Sequence, residues 1–92
     1  MTEIAVSWSV YCGGGKGWLA RITGTDPKFG FAREFVHSSG GHSSRSGDTG
    51  STSWMVEDGL YEVSGRGGRS YVCVEGGEQR TISRAQLLAA LG

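Results

Sequence analysis

The sequence predicts an α+β domain that is mostly β, an antiparallel meander of five or six strands with one short C-terminal helix. Three observations carry this. Apolar and polar residues alternate with period two through several short segments, as in half-buried strands. Glycine-rich clusters separate those segments, and 17 of the 92 residues are glycine. Only the last stretch, from Ser83, repeats apolar residues at helical spacing behind a helix start signal.

Ile4, Val6, Trp8 and Val10 alternate with Ala5, Ser7, Ser9 and Tyr11, which predicts a first strand. The run Cys12-Gly-Gly-Gly-Lys-Gly17 then breaks it, so the first two strands are expected to pair as an antiparallel hairpin. Residues 18–36 read as strand, turn, strand. Trp18, Ala20 and Ile22 alternate with Leu19, Arg21 and Thr23 before the turn at Gly24 to Gly30. Asp26-Pro27 suits a type I turn, because the Asp side chain caps the turn and Pro fixes φ. In Phe31 to Val36, Arg33 falls on the face with Phe31 and Phe35, and Glu34 on the face with Ala32 and Val36. An edge position satisfies one charge on each face, as does Arg33 stacked between the two Phe rings.

Residues 37–53 are rich in Ser and Gly and offer no core anchor, which predicts a flexible loop inside a single domain spanning 1–92. Trp54 to Val56 return to extended structure, Asp58-Gly59 is a hairpin signal, and Leu60 to Ser64 form the next strand. Gly65-Arg-Gly-Gly-Arg69 turns the chain into a strand over Ser70 to Glu75. Gly76-Gly77 turns it again, into a short strand over Gln79 to Ile82. Ser83 with Gln86 makes a capping box, and Ile82 with Leu87 has hydrophobic-staple spacing. Leu87, Leu88 and Leu91 form the apolar stripe of a helix too short to stand alone, so it must pack on the sheet.

Nine basic and nine acidic residues give a formal charge of zero, which argues against a strongly basic duplex binder and against an acidic mimic of nucleic acid. The charge is nevertheless uneven. Lys16, Arg21, Lys28 and Arg33 fall in one basic segment, and Arg66, Arg69, Arg80 and Arg84 in another, with Glu57, Asp58 and Glu62 between them. Two cysteines fit a reduced, cytoplasmic protein better than a disulfide scaffold. No apolar run approaches the roughly 18 residues of a membrane span, so no membrane partner is expected.

Catalytic and metal readings are the weaker ones. Cys12, His37, His42 and Cys73 are a chemically possible zinc set, but without Cys-x-x-Cys spacing. Lys16 near Cys12 would favour a thiolate, yet no general base accompanies it. The glycine run lacks the spacing of a phosphate loop. The expectation is therefore a non-enzyme with no cofactor and no metal. Glycine-flanked Arg66 and Arg69 at a hairpin tip bring guanidinium forks to a partner, and Lys28, Arg33, Arg21 and Lys16 complete the candidate binding residues. With Trp8, Trp18, Trp54, Tyr61 and Tyr71, such arginines suit either single-strand recognition or a protein interface.

The runs Trp18 to Gly30, Arg33-Glu-Phe-Val36 and Asp58-Gly-Leu-Tyr-Glu-Val63 resemble small proteins of bacteriophages and other mobile elements, over about half of the chain. The likeness lies in strand and turn patterns and brings no catalytic residues with it. It implies an inhibitor of host defence, anti-CRISPR proteins among that class. Such a protein would dock on a host protein or ribonucleoprotein complex in the host cytoplasm and block it sterically. The alternatives are a freestanding module binding single-stranded RNA or DNA, and a small zinc or thiol enzyme.

Overall fold

Alternation of buried and exposed residues needs something on each apolar face, and here two layers and a helix supply it. The computed structural model describes residues 1–10, 17–28, 30–39, 48–65 and 68–92. The elements are β1 (Thr2–Val10), β2 (Gly17–Gly24), β3 (Ala32–Ser39), β4 (Asp48–Val56), β5 (Gly59–Gly65), β6 (Gly68–Glu75), β7 (Glu78–Ile82) and α1 (Arg84–Leu91). They form a five-stranded antiparallel sheet ordered β3-β2-β5-β6-β7 and a two-stranded ribbon, β1-β4. The mostly β class with one C-terminal helix is as the sequence predicts, and β5 to β7 run as a meander.

Strand register divides the larger sheet into two faces. Leu19, Tyr61, Val63, Val72 and Val74 point one way and pack against Ile4, Val6, Trp54 and Val56 of the ribbon. Ala20, Ile22, Leu60, Glu62, Tyr71, Cys73 and Ile82 take the opposite face. Here α1 packs Leu87 against Ile22, Phe31 and Ile82, with Leu60, Tyr71, Cys73 and Leu91 alongside. The helix covers only that end of its face, and the other end, around Trp18, Ala20 and Glu62, stays outside its contacts.

The pairing of the first two strands with each other is not what forms. β1 instead pairs with β4 over its whole length, from Thr2↔Val56 to Val10↔Asp48. The reason is coverage: a single layer would leave Leu19, Tyr61 and Val63 without an apolar partner, because α1 lies on the far face. The stretch 37–53 is likewise not a loop at its ends, since 37–39 extend β3 and 48–53 belong to β4. Ser and Thr accept extended backbone, the ladder with β1 supplies the hydrogen bonds, and Trp54 and Val56 supply the burial. Residues 40–47 lie outside the described residues. Asp58-Gly59 is not a hairpin turn, because β4 and β5 lie in different sheets. The corner is pinned where Asp58 Oδ2 accepts a 2.9 Å hydrogen bond from the Gly76 amide.

Other local signals act as their chemistry requires. Asp26 Oδ1 accepts from the Lys28 amide at 2.8 Å, and Asp26 O accepts from the Gly30 amide at 2.7 Å, closing the β2–β3 turn. Gly76 and Gly77, at φ 59° and 87°, form the left-handed pair that a two-residue hairpin between Glu75 and Glu78 needs. β3 is an edge strand, which accommodates its two oppositely facing charges. Ser83 Oγ accepts from the Gln86 amide at 3.1 Å while Gln86 Oε1 accepts from the Ser83 amide at 2.8 Å. Ser83→Ala is expected to cost about 1 kcal/mol, seen as a lower urea midpoint at unchanged slope. Among the described residues, no helix is long and apolar enough to cross a membrane.

Candidate functional site

Tyr61 and Val63 face the ribbon, so Glu62 between them must face the helix side, in register with Ala20 and Tyr71. Its side chain is 0% exposed. Two arginines converge on it from either side, Arg33 from the edge strand β3 and Arg69 from the start of β6. Arg33 Nη1 lies 3.3 Å from Glu62 Oε2 and 3.5 Å from Oε1, and Arg69 Nε lies 3.5 Å from Oε1. A well-made guanidinium–carboxylate hydrogen bond is shorter, about 2.7–2.9 Å. Glu62 Oε2 in fact accepts no hydrogen bond. The carboxylate thus holds two arginines nearby mainly by charge, with one long hydrogen bond from Arg33 Nη1 to Oε1.

Beside this trio the small Ala20 leaves a hollow of 330 Å³ lined by Trp18, Ala20, Arg33 and Phe35. The Trp18 and Phe35 rings sit 6.5 Å apart and tilted, and Phe35 is 61% exposed on the edge strand. The row continues towards α1, where the Arg84 guanidinium lies 4.7 Å over the Phe31 ring and Nη1 donates to the Tyr71 hydroxyl at 3.5 Å. At the far edge of this face Arg80 is paired with Glu75 at 3.7 Å, with Glu78 opposite Glu75, whereas Glu62 is the carboxylate that Arg33 and Arg69 share.

The structure places two of the other expected binding residues, Arg21 and Lys28, away from this cluster. Arg21 lies on the ribbon face, where Nη2 donates to the Tyr61 hydroxyl at 3.2 Å and to Glu57 Oε2 at 3.3 Å. Tyr61 in turn donates to the Glu57 carbonyl at 2.6 Å, and its hydrogen bond to Arg21 raises that guanidinium above its ordinary pKa. Arg21 therefore clamps the β4–β5 corner onto β2. Lys28 sits in the β2–β3 turn, at the opposite end of the sheet from the β5–β6 tip. Arg66 and Lys16 lie outside the described residues.

Arg33 is not stacked between Phe31 and Phe35, because the buried Glu62 carboxylate is the stronger attraction for its guanidinium. Of the suggested zinc set, Cys12 and His42 lie outside the described residues. His37 packs 4.9 Å from the Trp54 ring on the ribbon side, whereas Cys73 packs beneath α1 on the other face. Among the described residues, no three His, Cys, Asp or Glu side chains gather as metal ligands.

Glu62 is the residue that sequence reasoning passed over, as one of a cluster of surface acids. The signal was available: Leu60, Glu62 and Ser64 share one face of a strand whose other face is Tyr61 and Val63, so the acid sits mid-strand rather than at an end. Comparison with known protein families, curated proteins and solved structures finds no match to this chain.

Proposed function

We propose that the chain is a non-enzymatic binding protein that docks on and blocks a nucleic-acid-handling host complex, as its likeness to small phage proteins implies. The contact surface is the end of the helix face that α1 leaves uncovered. One observation carries this reading: Arg33 and Arg69, gathered over a buried carboxylate, share that end with the exposed ring of Phe35 and with Trp18. Arginine and large aromatic residues are the side chains that most often anchor interfaces. Phe35, 61% exposed beside Trp18 on the edge strand, is the large apolar side chain that this end offers a partner.

The test is capture of partners from host lysate by the tagged protein, with and without nuclease, beside the Phe35→Ala/Arg69→Ala variant. Both side chains are 61% exposed, so the variant should fold. The expected result is a defined set of proteins, with recovery falling about tenfold or more in the variant, and the nuclease arm tells whether nucleic acid is part of the contact. Equal recovery by the folded variant would remove this surface from the reading.

A further inference from the structure

We propose that the component this face contacts is single-stranded nucleic acid itself. A backbone phosphate would sit between Arg33 and Arg69, and a base would stack against Phe35 over the hollow beside Trp18. The inference rests on the reading that the uncovered end of the helix face is the contact surface, and it names what lies there.

The charge balance selects an anion. Two guanidinium groups surround one carboxylate, and the carboxylate is wholly buried, so what the surface presents is positive. Arg84 adds to the same sign further along the face. Each arginine meets the carboxylate through one nitrogen, Arg33 Nη1 and Arg69 Nε, at 3.3–3.5 Å, so the other nitrogens of each fork can make the short bonds that a phosphate accepts. Glu62 is a positioning residue: it offsets the mutual repulsion of the two guanidiniums and keeps them side by side before the anion arrives.

The rings select the rest of the ligand. Arg33 and Phe35 are two residues apart on one strand and on one face, about 6.7 Å along the chain. A guanidinium and a flat ring are thus offered in alternation, as a strand of phosphates and bases requires. Carboxylates of an acidic polypeptide would satisfy Arg33 and Arg69 but would have no use for an exposed Phe ring beside an apolar hollow. An extended peptide would pair with the open backbone edge of β3 instead of its face. Bases stack on aromatic rings whatever their sequence, so little sequence preference is expected.

The test is fluorescence anisotropy with short labelled oligothymidylate and oligouridylate over an approximately fourfold range of salt, with oligoglutamate as competitor. Arg69→Ala should reduce the steepness of the log affinity against log salt line by about 0.7, the value of one phosphate contact on a single strand. Phe35→Ala should weaken binding about tenfold and leave the slope unchanged, because stacking carries no counterion release. Arg33→Ala is best made together with Glu62→Gln, so that no unpaired carboxylate is left buried. That pair should lose the second phosphate contact. Comparing the two oligonucleotides tells whether the strand is DNA or RNA.

The proposal is overturned if neither oligonucleotide binds, or if binding is indifferent to Phe35→Ala and Arg69→Ala. It is also overturned if oligoglutamate competes as well as an oligonucleotide of equal charge. Nuclease-resistant capture that needs Phe35 and Arg69, in a protein that binds no oligonucleotide, would keep the docking reading and remove this one. Oligonucleotide binding with the expected variant effects, but no captured complex, would do the reverse.

Discussion

Leu87→Ala is expected to destabilise the protein by about 2–5 kcal/mol, the range for deleting a fully buried leucine side chain. In a domain of this size that corresponds to a fall of roughly 10–30 °C in melting temperature. Leu87 is the buried residue of α1, at 0% exposure, and it joins Ile22, Phe31 and Ile82 in one apolar cluster. A helix of eight residues has no stability of its own. Truncating its anchor therefore removes both the packing at that site and the reason for the helix to stay. Ile22, Phe31 and Ile82 would then meet water, while the ribbon-side cluster around Leu19 and Tyr61 would remain packed. Thermal and urea unfolding followed by circular dichroism would report this. A loss below about 1 kcal/mol would mean that the capping box, not Leu87, holds the helix down.

The elements that the sequence announced are those whose cause is local. The capping box at Ser83, the paired glycines at 76 and 77, the Asp26 turn and the alternation in β1 each rest on residues within a few positions of one another. What was not legible is the pairing of β1 with β4, which joins Thr2 to Val56. The glycine run after Tyr11 carries the local signature of a hairpin, and only the need to cover Leu19, Tyr61 and Val63 decides against it. The Ser and Thr residues of β4 read as a loop for a related reason: their place in a strand comes from a distant ladder, not from their own burial.

Part of the site was legible in the same sense. Arg33 and Arg69 stood out as charges in or beside strands. Arg21 has the same chemistry and the same kind of neighbours, but register puts it opposite Tyr61, on the ribbon face, where it serves as a clamp. One residue of register along a strand exchanges faces, so composition alone does not separate a binding arginine from a structural one. Glu62 was hidden because an acid in a strand reads as solvated, and its burial depends on side chains from three other strands.

Glu62 and Arg33 are expected to respond to substitution with opposite signs. Glu62→Met keeps much of the side-chain volume and removes a buried charge that is paired only at 3.3–3.5 Å. Burying a carboxylate costs several kcal/mol, and the return from long contacts to guanidiniums that are 26% and 61% exposed is small. Once released, both arginines can turn into water. The variant is therefore expected to be as stable as the native protein, or more stable by about 1–4 kcal/mol. Arg33→Ala does the contrary, leaving the buried carboxylate with Arg69 Nε at 3.5 Å as its remaining ion-pair partner. Its cost is expected at about 2–4 kcal/mol, somewhat under that of breaking a fully buried pair, because truncation opens a path for water. The double variant should recover most of that loss, and urea unfolding of the three proteins closes the cycle. A destabilised Glu62→Met beside a neutral Arg33→Ala would show that the carboxylate is a structural gain. If the expected signs are found, the protein carries a buried acid that weakens its fold. The same Glu62→Met variant should then bind the oligonucleotide less well despite its greater stability, a trade between fold and site that a purely structural Glu62 would not produce.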